Sequence, residues 1–113
     1  MTLGAANSPG LTYQFGLECA RQLRALGVHV NFGPVVDVNN NPKNPVINNR
    51  SFGENRERVA VLGDAYARGL QDGRVLACAK HFPGHGDTDV DSHEDLPYIM
   101  HDRARLDLSL IHI

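Results

Sequence analysis

The residues best able to do chemistry crowd into one stretch, Lys80-His81-Phe82-Pro83-Gly84-His85-Gly86-Asp87-Thr88-Asp89-Val90-Asp91-Ser92-His93, with a lysine, three histidines and three aspartates. Three chemistries are open to such a set. A metal centre would draw on His81, His85, His93 and the aspartates, but the spacing gives neither His-Glu-x-x-His nor a cysteine pair. Asp87-x-Asp89-x-Asp91 opens like a calcium loop, yet Ser92 stands where that loop needs glycine and Tyr98 where it needs glutamate. Pro83-Gly84-His85-Gly86 hints at a phosphate cradle, without the lysine–serine pair or the following helix of a P-loop. General acid/base catalysis is the third. Asp91 and His93 are two apart, so they project to one side of an extended segment and can meet in a turn. A carboxylate that holds an imidazole fixes its tautomer and raises its proton affinity. On spacing alone an Asp-x-His in a solvated loop is more often inert than functional. What favours function here is the company: Lys80 and His81 at a strand end, and Arg50 on a second polar loop.

The flanking sequence supplies the elements that must position these groups. Ser8 and Pro9 start a helix over 11–26, with Leu11, Phe15, Cys19, Leu23 and Leu26, and Ala20 beside them, as its apolar face and Gly27 as its stop. Residues 28–36 are β-branched and apolar, and the regular strand should end near Gly33 because Pro34 cannot donate to a ladder. A long Asn- and Pro-rich loop covers 37–54; a loop of that length is usually functional. Its Asn49-Arg50-Ser51 is formally a glycosylation sequon, a triplet common by chance. Asn55 caps a second helix, to about Asp72, with Val59, Leu62, Tyr66 and Leu70 inward and Gly73 at its end. Residues 75–80 read as a buried strand. Strand, helix, strand implies a parallel pair joined by a right-handed crossover. The loops after Val36 and after Lys80 both leave C-terminal strand ends, so they should emerge on one face, where such folds carry their sites. Residues 98–107 look like a further strand start and helix start.

Composition narrows the function classes. The 113 residues, 42% hydrophobic and 21% charged, suit one ordinary domain. A formal net charge of −2 gives no electrostatic reason for a nucleic-acid or anionic-membrane partner. No apolar run approaches bilayer length, and the first residues have neither the basic start nor the apolar core of a signal peptide. Cys19 and Cys78 form no disulfide or metal pattern and are expected as buried free thiols.

A resemblance then emerges. Lys80-His81-Phe82-Pro83-Gly84-His85-Gly86-Asp87-Thr88, Asp91-Ser92-His93 and Leu96-Pro97 resemble the signature of family 3 glycoside hydrolases, in particular their β-N-acetylhexosaminidase branch. Gly33-Pro34-Val35-Val36-Asp37-Val38, Asn41-Pro42, Asn44-Pro45-Val46-Ile47 and Arg50-Ser51-Phe52-Gly53 resemble the same branch, so the match runs over nearly all of 3–107. The resemblance implies an α/β fold, part of a (β/α)₈ barrel truncated at both ends. It implies a retaining hydrolase that removes terminal β-linked N-acetylglucosamine from cell-wall or chitin-type glycans. Arg50, Lys80 and His81 would hold the sugar; His93, oriented by Asp91 on a mobile loop, would be the general acid/base. Most retaining glycosidases use two carboxylates about 5–5.5 Å apart; a His-Asp pair would replace one of them in this branch.

The resemblance also marks gaps. The nucleophilic aspartate is expected beyond residue 113, and none of Asp37, Asp87 and Asp89 is a substitute; Asp37, at a strand end, is expected to be a structural hydrogen-bond acceptor. A full barrel runs to about 250 residues, so residues 1–107 are expected to be a partial domain whose true N-terminus is missing, inactive alone. Residues 108–113 break the amphipathic period, and Leu-Ser-Leu-Ile-His-Ile is what a transposon-adapter end would encode, so a non-native tail is expected. Carbohydrate is the expected partner; no cofactor, metal, nucleic acid or membrane is. A non-catalytic sugar-binding piece, a phosphorolytic enzyme and a β-glucosidase-type member of the family stay open as alternatives, and the compartment stays open between bacterial cytoplasm and periplasm.

Overall fold

Two long helices do most of the packing. In a computed structural model, which describes residues 1–91, 93–96, 98 and 102–104, the chain runs α1 (Thr2–Ala6), α2 (Pro9–Ala25), β1 (Val30–Asn31), a 3₁₀ turn (Asn48–Arg50), α3 (Arg56–Asp72) and β2 (Leu76–Ala77). Both long helices start as their sequences dictate: Ser8 accepts from the Leu11 amide with Pro9 in the first turn, and Asn55 accepts from the Arg58 amide. Gly27, at φ 76°, takes the left-handed position after α2. Gly73 ends α3 differently. Its φ is −78°, and the left-handed residue is Arg74. A Cβ on Gly73 would sit 2.3 Å from the Ala20 Cβ, so the glycine is there for close packing against α2.

That contact illustrates a correction to the predicted face of α2. Of the predicted face, Ala20 is buried and Cys19 and Leu23 pack half-buried beside it. Leu11, Phe15 and Leu26 are exposed, and the buried seam is Thr12, Gly16 and Ala20. Small residues win because the two helix backbones nearly touch. A Cβ on Gly16 would lie 2.5 Å from the Tyr66 carbonyl oxygen, and one on Gly69 would lie 2.2 Å from the Tyr13 carbonyl oxygen. Tyr13 Oη closes the seam by donating to Asp72 Oδ2 at 2.8 Å. The predicted inward face of α3 holds: Val59, Leu62 and Leu70 are buried and Tyr66 is half-buried between two small cores. Full burial of each large aliphatic contributes about 1.5–3 kcal/mol.

The strands are parallel, with Val30 opposite Leu76 and Asn31 opposite Ala77. The regular ladder is shorter than the sequence suggested. Pro34 has no amide hydrogen, the ladder stops before it, and pairing resumes at an isolated bridge between Val35 and Lys80, with the Val36 amide donating to the Lys80 carbonyl at 2.8 Å. The predicted burial of residues 75–80 is also corrected. Val75 is buried but Leu76 and Cys78 are exposed, and Cys19 is half-buried, so the thiols are not a buried pair. Successive strand residues point to opposite faces; the helices cover one face, and the other is open among the described residues. An open groove of about 680 Å³, lined by Leu3, Leu11, Phe15, Pro34, Phe52 and Tyr66 among others, lies beside α1 and α2. The short helix α1 was not foreseen. The strand and helix expected within 98–107 fall largely outside the described residues, and the tail 108–113 lies wholly outside them.

Candidate active site

The site begins where the two strands end. Asp37 follows the Val35–Lys80 bridge and is fully buried. Such a carboxylate needs hydrogen-bond donors around it, and the opposite loop brings them. Asp37 Oδ2 accepts from the His81 amide at 3.2 Å and from His81 Nδ1 at 2.7 Å; Oδ1 accepts from the His85 amide at 2.6 Å. The expectation that Asp37 is a structural acceptor is met in geometry. On the other side of the imidazole, Arg50 Nη2 lies 3.5 Å from His81 Nε2. Arg50 is placed by the 3₁₀ turn, by its own Nη1 donating to the Val46 carbonyl at 3.2 Å, and by Ser51, whose Oγ donates to the Asp37 carbonyl at 2.6 Å. Lys80 is fixed through its backbone: its amide donates to the Pro34 carbonyl at 3.0 Å and its carbonyl accepts from Val36.

The two polar loops emerge on one side, as parallel strands require, and they dock on each other. Asn44 is the hub. Its Nδ2 donates to the His85 carbonyl at 2.6 Å and the Thr88 carbonyl at 2.9 Å, while its Oδ1 accepts from the amides of Val46 and Ile47. Asn41 donates to Asp89 Oδ1 and to the Thr88 carbonyl. Gly86 permits the close approach: a Cβ there would lie 1.8 Å from the Val38 carbonyl oxygen. Thr88 Oγ1 in turn lies 2.8 Å from His85 Nδ1, and the His85 ring stands edge-on to His81 with centroids 6.0 Å apart.

Past Asp89 the loop turns outward. Asp91 Oδ1 accepts from the His93 amide at 2.9 Å and from His93 Nδ1 at 2.7 Å. The His93 amide, the stronger influence, and then its ring hold the Asp91 carboxyl below the ordinary aspartate range, with a smaller electrostatic contribution from His85. The imidazole of His93 is 83% exposed. Of the sequence-predicted residues, the structure therefore groups Arg50 with His81 beside Lys80, and pairs Asp91 with His93.

Residues 1–110 match the family model described as the glycosyl hydrolase family 3 N-terminal domain. The chain belongs to that family. Over 86 residues this family 3 chain is 55% identical to β-hexosaminidase A of Pseudoalteromonas piscicida, covering 76% of this chain and 14% of that protein. Over 94 residues it is 44% identical to a β-hexosaminidase of Neisseria meningitidis, covering 83% of this chain and 26% of that protein. Among solved structures it is similar to a family 3 β-N-acetylglucosaminidase from Paenibacillus, with a TM-score of 0.95, 51% identity, and coverage of 98% of this chain and 21% of that one. This family 3 chain thus spans well under a third of the length of these relatives.

Sequence reasoning passed over several residues that organise this family 3 site. Asn44 and Thr88 drew no individual attention, although both are buried polar side chains, and His85 stood out only as a candidate metal ligand. The available signal was general: a buried loop must satisfy its own polar groups, and Asn does so with a donor and an acceptor at once.

Proposed function

We propose that the full-length protein carrying this chain is a retaining β-N-acetylhexosaminidase that releases terminal β-linked N-acetylglucosamine from cell-wall or chitin-type glycans, and that the chain contributes part of its (β/α)₈ barrel. The names of the relatives support the substrate class. The parallel strand pair, its open face and the apolar groove support the barrel, whose remaining elements would cover both. Arg50, Lys80 and His81 hold the sugar. The observation that carries the mechanism is the Asp91–His93 contact: with Nδ1 committed to the carboxylate, Nε2 is the nitrogen left to exchange a proton.

The chemistry balances as follows. A carboxylate outside this chain attacks the anomeric carbon, the glycosidic C–O bond breaks, and the departing oxygen takes the proton from His93 Nε2. The glycosyl ester so formed is then attacked by water, which gives a proton back to Nε2 as the ester bond breaks. An imidazole near its neutral point can perform both transfers, and an uncharged ring repels an anionic acceptor less than a carboxylate would. Phosphate can therefore replace water. The chain alone, without the nucleophile, is inactive on this reading.

The test is turnover of an aryl β-N-acetylglucosaminide by the full-length protein and by residues 1–113, with and without phosphate. Release of N-acetylglucosamine by the full-length protein only is the expected result. An inert full-length protein, or turnover by the 113-residue chain, overturns the proposal; a sugar phosphate as product moves it to phosphorolysis.

A further inference from the structure

We infer that Asp37 is a positioning residue that holds His81 in its Nδ1-protonated tautomer, so that Nε2 faces the site as a hydrogen-bond acceptor. The inference rests on the proposed role of His81 in holding the sugar. An ionised carboxylate only accepts, and a guanidinium only donates. The His81 ring lies between one of each: Asp37 Oδ2 at 2.7 Å from Nδ1, and Arg50 Nη2 at 3.5 Å from Nε2. One neutral tautomer satisfies both neighbours, the one with its hydrogen on Nδ1. The opposite tautomer would set a bare nitrogen against the carboxylate and an N–H against an N–H.

Burial gives this arrangement its force. Asp37 has no exposed side-chain surface, while the His81 side chain is 32% exposed, so the ring is clamped on its inner edge and reachable elsewhere. Asp37 cannot turn to a different partner, because Oδ1 is engaged by the His85 amide at 2.6 Å. The ligand group this edge recognises is therefore a donor, a sugar hydroxyl whose hydrogen points at Nε2 and whose oxygen can accept from Arg50. A ring oxygen or an amide carbonyl offers no such hydrogen. The same carboxylate also fixes the root of the loop that leads to His93, through His85.

The experiment is a long-range ¹H–¹⁵N correlation spectrum of the full-length protein with ring-labelled histidine, at about pH 8 where an ordinary imidazole is neutral. The His81→Gln variant identifies the His81 signals by their loss. The expected pattern is protonated Nδ1 and unprotonated Nε2; the reverse pattern, or an even mixture, in the unsubstituted protein overturns the inference. In Asp37→Asn the tautomer preference is expected to weaken, and KM for an N-acetylglucosaminide to rise by about 10- to 100-fold with a smaller fall in kcat, the scale set by losing a charge-assisted partner. An Asp37→Asn enzyme with unchanged KM also overturns it. The spectrum needs no substrate. A full-length protein with the expected tautomer and no glycosidase activity sinks the proposed function and leaves the tautomer assignment standing; an active enzyme with hydrogen on Nε2 sinks the Asp37 inference alone.

Discussion

Two aspartate–histidine pairs with the same local chemistry sit in opposite surroundings. In each, one carboxylate oxygen takes both the backbone N–H and the Nδ1 of a single histidine: 3.2 and 2.7 Å for Asp37 with His81, 2.9 and 2.7 Å for Asp91 with His93. The first pair joins residues 44 apart and its carboxylate is fully buried; the second joins residues two apart and is 32% exposed at the acid and 83% at the imidazole. The same grip is thus built once by tertiary structure and once by a local turn. Burial makes the first rigid, since breaking it would strand donors away from water. Exposure lets the second break and re-form, which a proton-transfer group serving two steps can use.

The sharpest way to break this contrast is His93→Ala in the full-length protein. An unactivated glycan should lose about 10²–10⁴ in rate, the usual worth of a general acid/base, while an aryl substrate whose leaving group needs no proton should lose far less at its first step. Equal losses on both substrates would remove His93 from the proton-transfer role. Next, Asp37→Leu should lower unfolding stability by about 2–4 kcal/mol, because the amides of His81 and His85 lose their buried acceptor. Asp91→Asn should leave the denaturation midpoint nearly unchanged and lower the rate instead. If the two variants are equally destabilised, the division into a fixed and a free pair fails. Gly86→Ala should cost about 1–3 kcal/mol, since its methyl group would collide with the Val38 backbone where the loops dock; chemical denaturation measures it, and a neutral result would show that the docking is loose.

The smallest effect is in pH. Hydrogen bonds from His93 depress the Asp91 carboxyl, so whatever order this pair gives the loop is complete above the ordinary aspartate range and is lost as pH falls through the depressed value. The pair should stay intact across neutral and mildly acidic pH. A carboxyl titration of Asp91 by NMR checks this, and a midpoint at or above the ordinary aspartate value contradicts it.

Much of the fold could be read from local signals. Ser8, Pro9 and Asn55 mark helix starts because capping is a matter of a few adjacent atoms. The Asp91–His93 pair could be anticipated for the same reason, being two residues long. The packed face of α2 could be read only in part: Ala20, Cys19 and Leu23 do pack. Periodicity selects large apolar residues, whereas the close contact with α3 also selected Thr12 and Gly16 and left Leu11, Phe15 and Leu26 exposed. The exposure of Leu76 and Cys78 was likewise hidden, since an apolar strand looks the same whether one face or two are covered.

The sequence by itself therefore determined the family resemblance, the helix caps, the parallel order of the strands and the short-range Asp91–His93 contact, because each depends on residues near one another or on an order of elements. Tertiary structure decided that Asp37 meets His81, that Arg50 stands across the same ring, and that Asn44 and Gly86 lock the two loops together. Those groups lie 31 to 48 residues apart, and nothing in their spacing announces a contact. They meet because two parallel strands end on the same side, and a buried carboxylate is stable there only when the opposite loop brings its donors within reach.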